Sequence, residues 1–197
     1  MKLTIPAPFR LLILCLFLML LLPFISNAQA PANDNHGSFL LFFPSAPALT
    51  VNGGSCTTTT NGTLNNATVS PSIPTYSCGP TGSLYDVWYK FTATSSDHTI
   101  TFDNFGSNYN RRQLVVYQFN TFGTLSAVTC SPLSTTGSSF TLNFIDYSPG
   151  TTYLIRVIYP TAGAVMITNG GFRICVTTGT NNAAQPVESG KSYTNIT

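Results

Sequence analysis

The sequence predicts an all-β protein, an antiparallel sandwich of eight or nine strands with a barrel as the alternative closure. Three observations predict it. Beyond residue 30 no stretch carries the apolar period of a helix. Apolar and polar residues instead alternate at period two in several short runs. Clusters of Gly, Pro, Ser and Asn bound those runs at the roughly ten-residue spacing of a sandwich.

The elements follow in chain order. "MKLTIPAPFRLLILCLFLMLLLPFISNAQA" places Lys2 and Arg10 before an apolar run from Leu11 to Phe24 and closes on Ala28-Gln29-Ala30. That is the form of a cleaved signal peptide, and the run is shorter than the ~20 residues a spanning helix needs. Residues 1–30 are therefore a leader, and the mature protein is expected at the cell surface or secreted, with no membrane insertion after cleavage. Pro31–Ser45 is an irregular lead-in, although Phe39–Phe43 ("FLLFF") can strap across a sheet. Ala48–Asn52 and Thr63–Ser70 are weak strand candidates.

The clearest pair comes next. Tyr85, Val87, Tyr89 and Phe91 share one face of Tyr85–Thr92, opposite Asp86, Trp88 and Lys90. In Asp97–Asp103, His98, Ile100 and Phe102 oppose Asp97, Thr99, Thr101 and Asp103. The "ATSS" between them reads as a hairpin connection. Further strands are expected at Gln113–Phe119, Phe140–Ile145, Thr152–Tyr159, Val165–Thr168 and Gly171–Thr177. The polar stretch 179–197 reads as a tail or linker, leaving one domain over 31–178.

Composition narrows the function. The leader holds two of the eight basic residues, so six Lys and Arg face six Asp and Glu in the mature chain. A neutral protein with charged residues at only 7% of the chain has no basic patch for nucleic acid. Cys56, Cys78, Cys130 and Cys175 remain after the leader, an even count that favours two disulfides outside the cell. Metal is the weaker reading, since no pair has C-x-x-C spacing. Of the three connectivities, Cys56–Cys78 with Cys130–Cys175 closes loops without crossing and is preferred.

"PANDN", "YDVWYKFTA", "HTITF", "LVVYQ", "VTC", "GTTYLIRV" and "GFRICV" occur in that order between Pro31 and Val176. In this the chain resembles the bacterial pre-peptidase C-terminal-like β-sandwich domains of large secreted proteins from type IX-secreting bacteria. The likeness spans about Pro31 to Thr177. It implies a jelly-roll-like sandwich with a non-catalytic role beside proteases, adhesins or polysaccharide-degrading modules. Two cysteines common in that family are replaced, by Asn35-His36 after the "PAND" start and by Phe122 before Gly123. Some relatives of this sandwich class bind calcium near such a start, where Asn33 and Asp34 offer oxygen ligands. A full calcium site needs six to eight oxygens, so a simple turn is the expectation and no cofactor is required.

Catalytic constellations are absent from the sequence. There is no G-x-S-x-G elbow, and the adjacent Asp97 and His98 point to opposite faces of a strand. His98 shares its face with Ile100 and Phe102 and is expected in the core or at its rim. Asp97 and Asp103 share a face but lie ~20 Å apart along a strand, too far for a glycosidase pair. No H-E-x-x-H, phosphate loop or dinucleotide fingerprint appears.

Binding is the remaining class. An exposed Trp88 would stack on sugar rings or anchor a protein. A packed Trp88 would lie under a covered strand, with Arg156 pairing Asp86, and packing is the expectation for a lone Trp in a sandwich. Tyr109, Arg111 and Arg112, in the Ser107–Arg112 loop ("SNYNRR"), form a second candidate surface. The function expected is a non-catalytic accessory module, a spacer or a protein-interaction and adhesion unit. Its partner would be an extracellular protein or polysaccharide. The alternative is a carbohydrate-binding module using Trp88.

Overall fold

The computed structural model describes residues 29–35, 46–74, 76–78, 82–107, 109–119, 124–163 and 167–179. Most of the leader, the "FLLFF" segment and the tail beyond Gly179 lie outside them.

Nine strands form two sheets, and no helix occurs among the described residues. The strands are β1 (Val51–Asn52), β2 (Thr60–Thr63), β3 (Ser83–Thr92), β4 (His98–Asp103), β5 (Gln113–Phe119), β6 (Leu125–Cys130), β7 (Ser139–Phe144), β8 (Thr152–Thr161) and β9 (Gly171–Thr178). One sheet runs β3-β8-β5-β6; the other runs β1-β9-β4-β7, with β2 also on β9. The fold is a β-sandwich, antiparallel except where the two residues of β1 pair parallel with β9.

The alternation of β3 and β4 correctly fixes their inward faces. Val87, Tyr89, Phe91, Ile100 and Phe102 are all buried in the core between the sheets. Their pairing differs from expectation, because "ATSS" is not a hairpin. β3 pairs with β8 in one sheet, whereas β4 lies between β7 and β9 in the other. The connection is therefore a corner from sheet to sheet. Buried Ala93 anchors it, its N–H donating to Thr151 O (2.9 Å) while its carbonyl accepts from Gly150 N (2.8 Å). His98 completes the corner: its Nε2 accepts from the Thr94 and Ser95 N–H groups (3.2 and 3.3 Å), and its Nδ1 donates to Thr177 O (3.1 Å). Thr94 and Ser96 of the corner are exposed, whereas Ala93 and His98 at its two ends are buried.

Three elements depart from the sequence reading. Of Thr63–Ser70 only Thr63 lies in a strand, the end of β2, and Val69 makes an isolated bridge to Tyr85. β6 has a mixed burial pattern and was not expected. Of Val165–Thr168, only Ile167 and Thr168 are described, and they form no strand.

The four-stranded sheet is buried on both faces. Its outer face carries a second cluster of Trp88, Val115, Tyr117, Leu154 and Ile158, packed with Ala46, Ile73 and Tyr76. Residues 31–35, 46–48, 68–74 and 76–78 supply that cover and seal the β3 edge. Trp88 N donates to Asn33 O (2.9 Å), Lys90 N to Pro47 O (3.0 Å) and Asp86 N to Thr68 O (3.2 Å). Two-sided burial explains why β8 reads "YLIRVIY" without alternation.

The disulfides join Cys56 to Cys175 and Cys78 to Cys130, with Cα separations of 5.9 and 6.4 Å. This corrects the preferred connectivity. Cys56 lies between β1 and β2, which both pair with β9 and so deliver it to Cys175. Cys78 lies at the end of the covering segment and meets Cys130 at the end of β6.

Candidate functional site

Trp88 is wholly buried, with 0% of its surface exposed. It lies on the outer face of β3, opposite Arg156 in the register with β8. Arg156 donates through Nε to Asp86 Oδ2 (2.7 Å), and its Nη2 forms the ion pair with the same oxygen. Asp86 Oδ1 accepts from Ser70 Oγ (2.5 Å) and from Trp88 Nε1 (2.9 Å). Burial pushes the Asp86 carboxyl above its ordinary range, opposed by the Arg156 charge and by the hydrogen bonds from Ser70, Arg156 and Trp88. Trp88 Nε1 also lies 3.0 Å from Ser70 Oγ, and the Arg156 guanidinium stands 5.6 Å from the indole ring. The covered reading of Trp88 is the one the geometry bears out. The exposed sugar platform is corrected: Asn33, Ala46, Ser70, Ile73 and Tyr76 occupy the space a sugar ring would need.

Asn33 and Asp34 belong to the same cover. Pro31–Asp34 forms a turn, closed by Asp34 N donating to Pro31 O (3.0 Å). Asp34 Oδ1 accepts from Thr68 N (2.5 Å), and Oδ2 accepts from the Thr68 hydroxyl. Asn33 Nδ2 donates to Trp88 O (2.9 Å). Both side chains thus tie the lead-in to the sheet. Among the described residues no three His, Cys, Asp or Glu side chains come together as metal ligands.

The Ser107–Arg112 loop is also a structural device. Asn104 takes a left-handed φ of 52°, and a Cβ on Gly106 would fall 1.9 Å from the Asn169 carbonyl oxygen. The turn so formed sends Tyr109 inward, where it is fully buried and donates to Ile158 O (3.0 Å). Arg112 stacks on Phe105, 3.8 Å from the ring centroid, and donates to the carbonyls of Tyr109 (2.7 Å) and Gly137 (2.7 Å). Arg111 is half-buried, and its Nε has no hydrogen-bond partner among the described residues. Tyr109 and Arg112 therefore line a cleft of about 340 Å³, walled by Asn104, Asn110 and Ser138, without offering a free aromatic face. This corrects Tyr109 as a contact residue, since its ring and hydroxyl are spent on the core.

A cleft of about 580 Å³ was not foreseen. It opens at the end of the four-stranded sheet where β3 finishes and β8 begins. Leu49, Val51, Phe91, Phe119 and Leu154 supply apolar walls, Thr92, Thr94 and Thr152 stand around them, and Lys90 is the single ionisable lining residue. Its signal in the sequence was Leu154, an apolar residue on the face of β8 that alternation assigns to the outside.

Asp86 and Asp103 do not converge. Asp86 lies on the outer face of the four-stranded sheet and Asp103 on the outer face of the five-stranded one, with the core between them. Asp103 is paired with Arg173 at 2.8 Å.

No protein-family model and no curated protein sequence matches the chain. Among solved structures it is similar to CorA, a surface-associated copper-binding protein important in copper acquisition in Methylomicrobium album BG8. That likeness has 10% identity and a TM-score of 0.38 over 68% of this chain and 100% of that one. It is also similar to a protein of Sulfurospirillum deleyianum, at 10% identity and a TM-score of 0.32 over 62% of this chain and 98% of that one. Neither likeness carries a ligand or an activity over to this chain.

Proposed function

We propose that the chain is a secreted, non-catalytic β-sandwich module that serves as a spacer or protein-interaction and adhesion unit outside the cell. This is the role implied by its resemblance to pre-peptidase C-terminal-like domains. One observation carries it: the cleft of about 580 Å³ is walled by apolar side chains and hydroxyls, with Lys90 as its only ionisable lining group. Such a lining favours docking an apolar side chain over proton transfer or nucleophilic attack. Support also comes from two disulfides, which suit an oxidising compartment. The structural employment of Asp34, Asp86, His98 and Trp88 points the same way.

The test is retention of the mature protein on the surface of the producing cells. Thr152→Trp, at the exposed rim of the cleft, should lower retention about thirtyfold, one hot spot's worth. Retention that ignores this substitution would remove the cleft from the reading. A soluble polysaccharide that displaces the protein would make carbohydrate binding the function instead.

A further inference from the structure

One side of the sandwich is closed and the other is open. On the closed side the chain passes from sheet to sheet, Ala48 bridging Lys90 of β3 while Val51 pairs with Val176 of β9. On the opposite side β6 ends the four-stranded sheet and β7 ends the five-stranded one. The connection 131–138, held by the Arg112–Ser134 bridge, links these two edges. Among the described residues no strand pairs with the outer edge of either. A cleft of about 290 Å³ runs past all six residues of β6, between it and Pro74, Tyr76 and Ser77. Along β7, Ser139, Thr141 and Asn143 are exposed, and Ile145 just beyond is 71% exposed.

Open edges are templates for another strand, and proteins usually blunt them with charges or prolines. Leu125–Cys130 and Ser139–Phe144 contain no Lys, Arg, Asp, Glu or Pro. We propose that the two edges form one interface and that its occupant is a second copy of this chain. A single peptide strand would cover one edge and leave the other bare. Two six-residue edges, with the sheets ~10 Å apart, match another sandwich of the same build. A half-turn about an axis normal to both sheets sets β6 antiparallel to its copy and β7 antiparallel to its own. Both sheets then continue across the dimer. Because neither strand is charged, self-pairing sets no like charges opposite one another. The contact strip is about 20 Å by 20 Å, so two copies together bury on the order of 800 Å², the size of a weak, reversible interface that a dilution series resolves. This interface is separate from the apolar cleft and does not rest on its role.

Light scattering of the disulfide-intact mature protein over a dilution series tests the proposal. A mass twice that of the monomer is expected. Ser126→Lys with Thr141→Lys brings ammonium groups into proximity across both paired edges and should weaken dimerisation about tenfold or more, with circular dichroism unchanged. Thr141→Cys, near the middle of β7, should give a covalent dimer that reductant dissolves. A protein that is monomeric throughout, or a dimer indifferent to both lysines, overturns the proposal. Should the lysine variant lose its fold, the cysteine variant decides: a cross-linked band supports the interface and its absence overturns it.

Discussion

Asp86→Ala should cost ~3–5 kcal/mol, a large part of a typical domain's stability. The magnitude follows from what the substitution leaves behind. Asp86 is fully buried, and the side chain of Arg156 is 3% exposed. Without the carboxylate, the guanidinium stays in an apolar layer with no counter-charge. Trp88 adds little to the loss, because Nε1 keeps Ser70 Oγ at 3.0 Å. Asp86→Asn should cost less, ~2–3 kcal/mol, since one carbonyl oxygen still accepts. Asp86→Leu combined with Arg156→Met should recover most of the loss, because Val115, Tyr117, Leu154 and Ile158 already make that layer apolar. Urea unfolding followed by the emission of Trp88, the chain's single tryptophan, reads all three variants at the site itself. A loss below ~1 kcal/mol for Asp86→Ala would show that water reaches the pair. A double variant as damaged as the single would show that the pair, and not its charge balance, holds the cover in place.

Burial holds Tyr89 and Tyr117 up to about 12, whereas an unfolded tyrosine ionises near 10. Below pH ~10 both states keep these protons; between ~10 and 12 only the folded state does, so stability falls by up to ~1.4 kcal/mol per pH unit for each. Phenolate absorbance should therefore rise together with cooperative unfolding, and smooth titration of every tyrosine near 10 in a folded protein would refute it. Peptide mapping without reductant should recover Cys56 joined to Cys175 and Cys78 joined to Cys130. Across separations of 119 and 52 residues, loop entropy gives these bridges up to ~5 and ~4 kcal/mol, so Cys175→Ser should lower the urea midpoint more than Cys130→Ser.

The faces of the central strands were legible in the sequence because alternation is a local property. Val87, Tyr89 and Phe91 could point only one way once Asp86, Trp88 and Lys90 pointed the other. Pairing was not legible in the same way. A strand with one apolar face fits either sheet of a sandwich, and the four residues after Thr92 suit a hairpin as well as a corner. What decides for the corner is His98, whose two ring nitrogens bind the turn at Thr94 and Ser95 and the neighbouring strand at Thr177. Nothing in "HTITF" announces that role beyond a polar residue on an apolar face.

The fate of Trp88 turns on residues far from it. Alternation assigns Trp88 to the outer side of β3, and that assignment is correct. Whether the outer side meets solvent or a second layer depends on Asn33 and Ser70, 55 and 18 residues upstream, in segments with no periodicity to betray them. The continuous apolar run of β8 was the available clue: a strand apolar on both faces must be covered on both. Arg156 interrupts that run and looks like an outward charge. It becomes compatible with a buried layer only through Asp86, its neighbour across the strands and not along the chain. The same logic governs the cysteines. Closing loops without crossing favoured Cys56 with Cys78, but Cys56 rides between two strands that both lie on β9, and topology carries it to Cys175. In a fold built from long-range pairs, the strand beneath a residue determines its partner more strongly than the residues beside it.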